Sequence, residues 1–144
     1  MPYNSILNTV IIISPIYLIS RCNEVFMAFL KDAFDKLNPA KREENGLKYH
    51  ERIQLALRSY AELIINYALL YYILDQSIGR LFNRPMRTLI DSIYFSAITI
   101  ATIGYGDYYP IHNLSKILVM YEVISGTLLL VVSFTVYVNL GLKD

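Results

Sequence analysis

One cysteine, two histidines and few charges set the first limits on this chain of 144 residues. Cys22 stands alone, which excludes an intramolecular disulfide and a cysteine-based metal site. His50 and His112 lie far apart in sequence with no ligand spacing around them, so both read as solvated or interfacial side chains. No Ser/His/Asp arrangement or pair of carboxylates stands out, and nothing supports an enzyme. Charged residues make up 17% of the chain and balance to a net +1, which argues against nucleic-acid binding. What fills the chain instead is apolar. It is 55% hydrophobic with a mean hydropathy of +0.38, too apolar for an ordinary soluble domain. A membrane protein with a single module is expected.

Residues 6–20 form an apolar run broken at Ser14-Pro15. That is short for a membrane span, which needs about 20 residues. Extending it to residue 30 supplies the length but places Arg21, Asn23 and Glu24 near the middle, which is costly unless they are paired or face protein. A basic start and a small-residue cleavage site are both missing, so a removable signal peptide is not expected. Over 25–37, Phe26, Phe29, Leu30, Ala33, Phe34 and Leu37 recur at helical spacing opposite Lys31, Asp32, Asp35 and Lys36. That pattern suits an interfacial amphipathic helix, or one packing on a partner subunit. Residues 1–30 thus read as a membrane-associated helical segment and a possible extra span. Residues 31–58 form a basic connector, turning after Asn38-Pro39 through a solvated stretch at 41–46.

From His50 to Ser59 the pattern is helical and leads into a span over 60–78, interrupted by Glu62, Asn66 and Asp75. Arg58, Glu62 and Asn66 share one helical face, a polar stripe expected against other protein and not lipid. Lys31, Lys36, Lys41, Arg42, Lys48, Arg52 and Arg58 outnumber Arg80, Arg84 and Arg87. The positive-inside rule then puts the connector in the cytoplasm and the 80–87 loop outside. Thr88 and Asp91 have the spacing of a capping box, opening a short helix over 89–101. At about 20 Å it cannot cross a bilayer. A second span over 117–138 carries Glu122 as its one charge. That carboxylate is expected to pack behind the short helix on a hydroxyl or backbone donor.

Between the short helix and the last span lies Thr102-Ile103-Gly104-Tyr105-Gly106-Asp107. Its glycines permit positive φ, so the backbone can alternate between left- and right-handed conformations and turn successive carbonyls to one side. Irregular backbone at membrane depth is tolerated where it is packed in protein or lines a water-filled route. A row of uncharged, hard oxygen ligands suits a dehydrated monovalent cation. A dinucleotide fingerprint fails, because Tyr109 stands where its last glycine is needed. A bare Gly-Tyr-Gly would suit an ordinary turn between two membrane helices. Six residues in this order, flanked in this way, closely resemble the selectivity filter of tetrameric potassium channels, usually T-V-G-Y-G-D, here with Ile103 for valine.

That resemblance covers about residues 60–141 and implies an all-α membrane protein. Two core transmembrane helices (60–78 outer, 115–140 inner) would flank a re-entrant pore helix (89–101) and filter (102–107) in a pore domain over 59–144. Carbonyls of Thr102, Ile103, Gly104 and Tyr105, with the Thr102 hydroxyl, would replace the water of bound K+ ions, and Gly106 would shape the outer mouth. Tyr94, Phe95 and Asp107 would support the filter, Phe95 against Tyr105 and the Tyr94 hydroxyl towards Asp107. Gly126 matches the hinge glycine of many inner helices, or marks close helix packing at a small residue. Thr127, Phe134, Thr135 and Val138 are candidates for the cavity and inner gate. One chain supplies a quarter of a carbonyl ring, so a homotetramer in the plasma membrane is implied, with the C-terminus cytoplasmic and no cofactor besides bound K+. No nucleotide-binding or conductance-regulating domain and no arginine-rich voltage sensor is legible.

The departures from the family pattern are specific. Tyr94 and Phe95 replace frequent tryptophans, Ala101 replaces a frequent threonine, and Ile98 stands where some members carry glutamate. Filter stability and inactivation therefore do not carry over. A non-selective cation channel of the same architecture is disfavoured by Tyr105, and a silent auxiliary subunit by the intact filter.

Overall fold

The structure, a computed structural model, describes residues 2–37 and 49–133. Four helices follow in order: α1 (Pro2–Leu37), α2 (Tyr49–Ile78), α3 (Leu89–Ile100) and α4 (Asn113–Ser133). Among the described residues there is no strand beyond one isolated bridge between Phe82 and Pro110. The fold is all-α. The solvated turn expected over 41–46 and the expected end of the inner helix, with Phe134, Thr135 and Val138, lie outside the described residues.

α1 departs from the expected two-part reading. It is one helix of 36 residues with Pro15 inside it. Proline removes one intrahelical bond, but Pro15 is buried against protein, where neighbouring groups make such a loss tolerable in a membrane helix. The stripe that packs is Leu18, Cys22, Phe26 and Phe29, whereas Phe34 and Met27 face outward. Over Ile12–Asp32 this helix is long and apolar enough to cross a membrane, as is α4.

α2 sits between the others and packs on all three. Its buried face runs through Leu63, Tyr67, Leu70 and Tyr71, which explains how it tolerates polar residues. Of the expected polar stripe, Glu62 is half-buried on Arg21 of α1 at 2.7 Å, whereas Arg58 is exposed. Arg21 also holds Glu24 at 2.8 Å, and Arg52 holds Asp32 at 3.0 Å. From the first α1–α2 pair to the second, numbering rises on α1 and falls on α2, so the two helices run antiparallel. The charges near the middle of α1 are thus paired, as their depth requires. Lipid is as apolar as leucine, so close packing and interhelical hydrogen bonds, not water exclusion, hold helices together in a bilayer.

Candidate functional site

The 102–107 loop is launched by α3, whose two ends are both built from local sequence. At its start, the Thr88 side chain accepts from Asp91 N at 3.2 Å, and Asp91 Oδ2 accepts from Thr88 N at 2.8 Å. Both halves of the capping box are present. Thr88's N–H and hydroxyl hold the Asp91 carboxyl below its ordinary pKa. The helix then buries Ser92, Phe95, Ser96, Ile98, Thr99 and Ile100.

At its end, Thr102 N donates to Thr99 O and Ile103 N to Ile98 O, both at 2.9 Å, while Thr102 has φ 58°. This is a Schellman cap, with its left-handed position occupied by threonine where glycine is usual. A β-branched residue in that region is strained. Such strain persists where surrounding contacts over-determine it, and often at functional sites. Here the contacts are the two cap bonds and a third, Gly104 N to Ile98 O at 3.2 Å. Beyond Thr102, φ is positive again at Gly104 (55°) and Gly106 (79°) but not at Ile103 or Tyr105. The backbone therefore alternates in hand along the loop. Residues 101–106 are exposed in the single chain, Tyr105 to 69% and Ile103 to 53%.

The loop's C-terminal end is clamped by the α2–α3 connection. Asn83 Nδ2 donates to Asp107 O at 3.0 Å, and Asn83 Oδ1 accepts from Tyr109 N at 2.9 Å. Arg84 reaches Asp107 Oδ2 at 3.1 Å with its guanidinium 3.8 Å from the Tyr108 ring centre. Tyr94 also approaches the Asp107 carboxylate, though Asp107 Oδ1 is buried without a hydrogen bond among the described residues. The connection is itself ordered by Asp75, which accepts from Leu81 N at 3.2 Å and Met86 N at 2.9 Å. Burial pushes the Tyr108 phenol upward, and Asp91 adds to this.

Phe95 lies beside this connection, packed edge-on against Phe82 and Tyr71 at centroid distances of 5.1 and 5.4 Å, with Tyr108 at 6.4 Å. Its described ring partners within the chain are these and not Tyr105. Glu122 is fully buried on α4, bonded by the Tyr71 hydroxyl at 2.6 Å and by Ser96 of α3. Gly126 faces Ile100: a Cβ there would run into Ile100 Cγ1 and lie 2.9 Å from Cδ1. α4 continues as helix through Gly126. Thr127, one residue on, is exposed. A cavity of 440 Å³ between α1 and α2, lined in part by Arg21, Glu24, Asp32 and Arg52, lies away from the loop.

Sequence reasoning did not find Asn83, Arg84, Tyr71 or Ser96. Arg84 was visible as one of three loop arginines. The other three carry no local signal, because their roles depend on which helix lies opposite.

A short apolar helix between longer ones, ending in a loop of alternating hand, defines a membrane protein of the pore-loop kind. The family described as Ion channel matches residues 60–143, more than half of the chain, and the chain belongs to that family. This is not an enzyme family, and it places the protein in a membrane. The chain is 50% identical over 36 residues to potassium channel K2 of Plasmodium falciparum (isolate 3D7). Those residues are 25% of this chain and 2% of that protein. No solved structure matches the chain.

Proposed function

We propose that this chain is one subunit of a potassium-selective pore, four copies of which surround the path with the carbonyls of Thr102, Ile103, Gly104 and Tyr105. The observation that carries this reading is the alternation of positive φ at Thr102, Gly104 and Gly106, beginning at the C-terminal cap of α3. Such alternation suits a row of carbonyls facing one way. Four rows around an axis make successive oxygen rings, which replace the hydration shell of a dehydrated cation. The partial match to a channel named for potassium supports the choice of ion. The exposure of Ile103 and Tyr105 in one chain fits surfaces that neighbouring copies cover.

In this reading α1, α2 and α4 cross the plasma membrane, and the 80–87 loop faces outward. The basic connector and the C-terminus face the cytoplasm. Ions move passively down their electrochemical gradient, with the negative end of the α3 dipole directed at the cation. The test is the reversal potential of the purified full chain in planar bilayers with potassium opposed to sodium. A potential near the potassium equilibrium value is expected. A potential near zero makes the pore non-selective, and no current from the chain alone makes it an auxiliary subunit.

A further inference from the structure

We propose that Glu122 stands as a neutral carboxylic acid whose proton positions α3, and through it the 102–107 loop. The hydrogens available at this cluster require it. Tyr71 of α2 donates its one hydroxyl hydrogen to Glu122 Oε2. Ser96 Oγ of α3 lies within hydrogen-bond distance of two oxygens, the Ile64 carbonyl of α2 at 2.9 Å and Glu122 Oε1. A serine hydroxyl carries one hydrogen and an ionised carboxylate carries none. With Glu122 ionised, one of these two contacts would be lone pair against lone pair. A proton on Oε1 resolves the conflict. Tyr71 O–H then donates to Oε2, Oε1–H to Ser96 Oγ, and Ser96 Oγ–H to Ile64 O. Each donor is used once and all three contacts become bonds.

The electrostatic surroundings agree. Glu122 is fully buried near the middle of α4. Of the titratable groups around it, Tyr71 of α2 bonds it, and Cys22 of α1 with Tyr60 and Tyr67 of α2 would feel its charge. Ser96 faces it from α3, and Ser125 on α4 bonds its backbone carbonyl. No cationic side chain contacts it among the described residues. Arg21, the cation beside Cys22 on α1, is engaged by Glu24 and Glu62. A carboxylate buried without a counter-charge normally takes up a proton.

The row Tyr71–Glu122–Ser96–Ile64 ties α4 and α3 to α2. Ser96 stands six residues before Thr102 on the helix whose Ile98 and Thr99 carbonyls hold the start of the loop. Glu122 is therefore a positioning residue, acting on the loop through α3. Losing its proton leaves Ser96 one hydrogen for two acceptors, so α3 gives up either its tie to Glu122 of α4 or its tie to Ile64 of α2. The effect on conduction rests on the potassium-pore reading, whereas the protonation state does not.

The test is infrared difference spectroscopy of the full chain in lipid vesicles, wild type minus Glu122→Gln, read beside potassium efflux as pH is raised. Glutamine can accept from Tyr71 and donate to Ser96, so it reproduces the neutral acid without titrating. At neutral pH the wild type should show a protonated carboxyl C=O stretch that the variant lacks. Above its titration point that band and wild-type efflux should fall together, the neutral fraction dropping about tenfold per pH unit. Efflux through Glu122→Gln should stay flat. Should that variant not fold, Tyr71→Phe removes the donor to Oε2 and should move the wild-type C=O band to higher frequency. A carboxylate signature at neutral pH, or no shift in Tyr71→Phe, overturns the neutral acid. The band with equal pH dependence of efflux in wild type and Gln variant overturns the positioning role. The band with no potassium efflux from either chain overturns the pore reading instead.

Discussion

Arg84 and Asp107 meet at the C-terminal end of the 102–107 loop, Nη2 to Oδ2 at 3.1 Å, and the same guanidinium covers the Tyr108 ring. Both side chains are substantially exposed, at 50% and 34%. A pair in that setting contributes roughly 0.2–1 kcal/mol and weakens with salt. Asn83, by contrast, makes two bonds to backbone groups on either side of Tyr108. Asn83→Ala is therefore expected to lower the thermal stability of the solubilised protein more than Arg84→Ala. The Arg84→Ala loss should shrink in high salt and the Asn83→Ala loss should not. Equal losses with equal salt response would show that Asn83 does not hold the loop end more firmly than Arg84.

Gly104→Ala places a side chain on a residue with φ 55°. Nothing in its own chain lies within 4 Å of the added carbon. The penalty is thus one of backbone conformation, about 1–2 kcal/mol for each chain. Loss of selectivity or of current is expected from a protein that still folds. Unchanged reversal potential with full current would remove Gly104 from the ion path.

Gly126→Ala forces its methyl into Ile100, two residues before Thr102. Overpacking of this kind costs about 1–3 kcal/mol. If the residue is there for packing, stability falls and Ile100→Ala in the same chain restores it. If it is a hinge, open probability falls instead, and trimming Ile100 restores nothing. Single-channel recording beside thermal unfolding of both variants separates the two roles.

Asp91 gives an acid limb. Its carboxyl is held below the ordinary value by the Thr88 N–H and hydroxyl. The stability it lends is fully present above the unfolded pKa, about 4. It is lost as pH falls through the lower, folded value. Asp91→Asn should flatten that part of the stability curve below pH 4 and leave neutral behaviour nearly unchanged. An identical acid limb in the variant would show that the capping box does not form.

Local chemistry was legible where one segment supplies all of it. Thr88 and Asp91 announce the start of α3 because donor and acceptor sit three residues apart. The glycines of the loop announce positive φ because few other residues adopt it readily. Thr102 shows the limit: nothing about a threonine signals a left-handed cap, and that conformation is imposed by the carbonyls of Ile98 and Thr99. The long α1 was obscured by Pro15, since whether a proline breaks a helix depends on what packs around it. Glu122 could be expected to have a partner, but Tyr71 and Ser96 are identified only once three helices are in place.

Asp75 carries a consequence for how the protein is made. Its carboxylate closes the α2–α3 connection on itself through the amides of Leu81 and Met86. Removing it with Asp75→Ala leaves two buried donors, at about 1–3 kcal/mol each, a loss that a thermal melt of the solubilised chain can read. All these bonds lie within a single polypeptide. The connection, the α3 cap and the bends of the loop can thus take shape in a newly inserted subunit before it meets another copy. In the proposed tetramer, assembly would then be a docking of finished parts, sparing the nascent chain a search for its loop conformation while its partners are also being aligned.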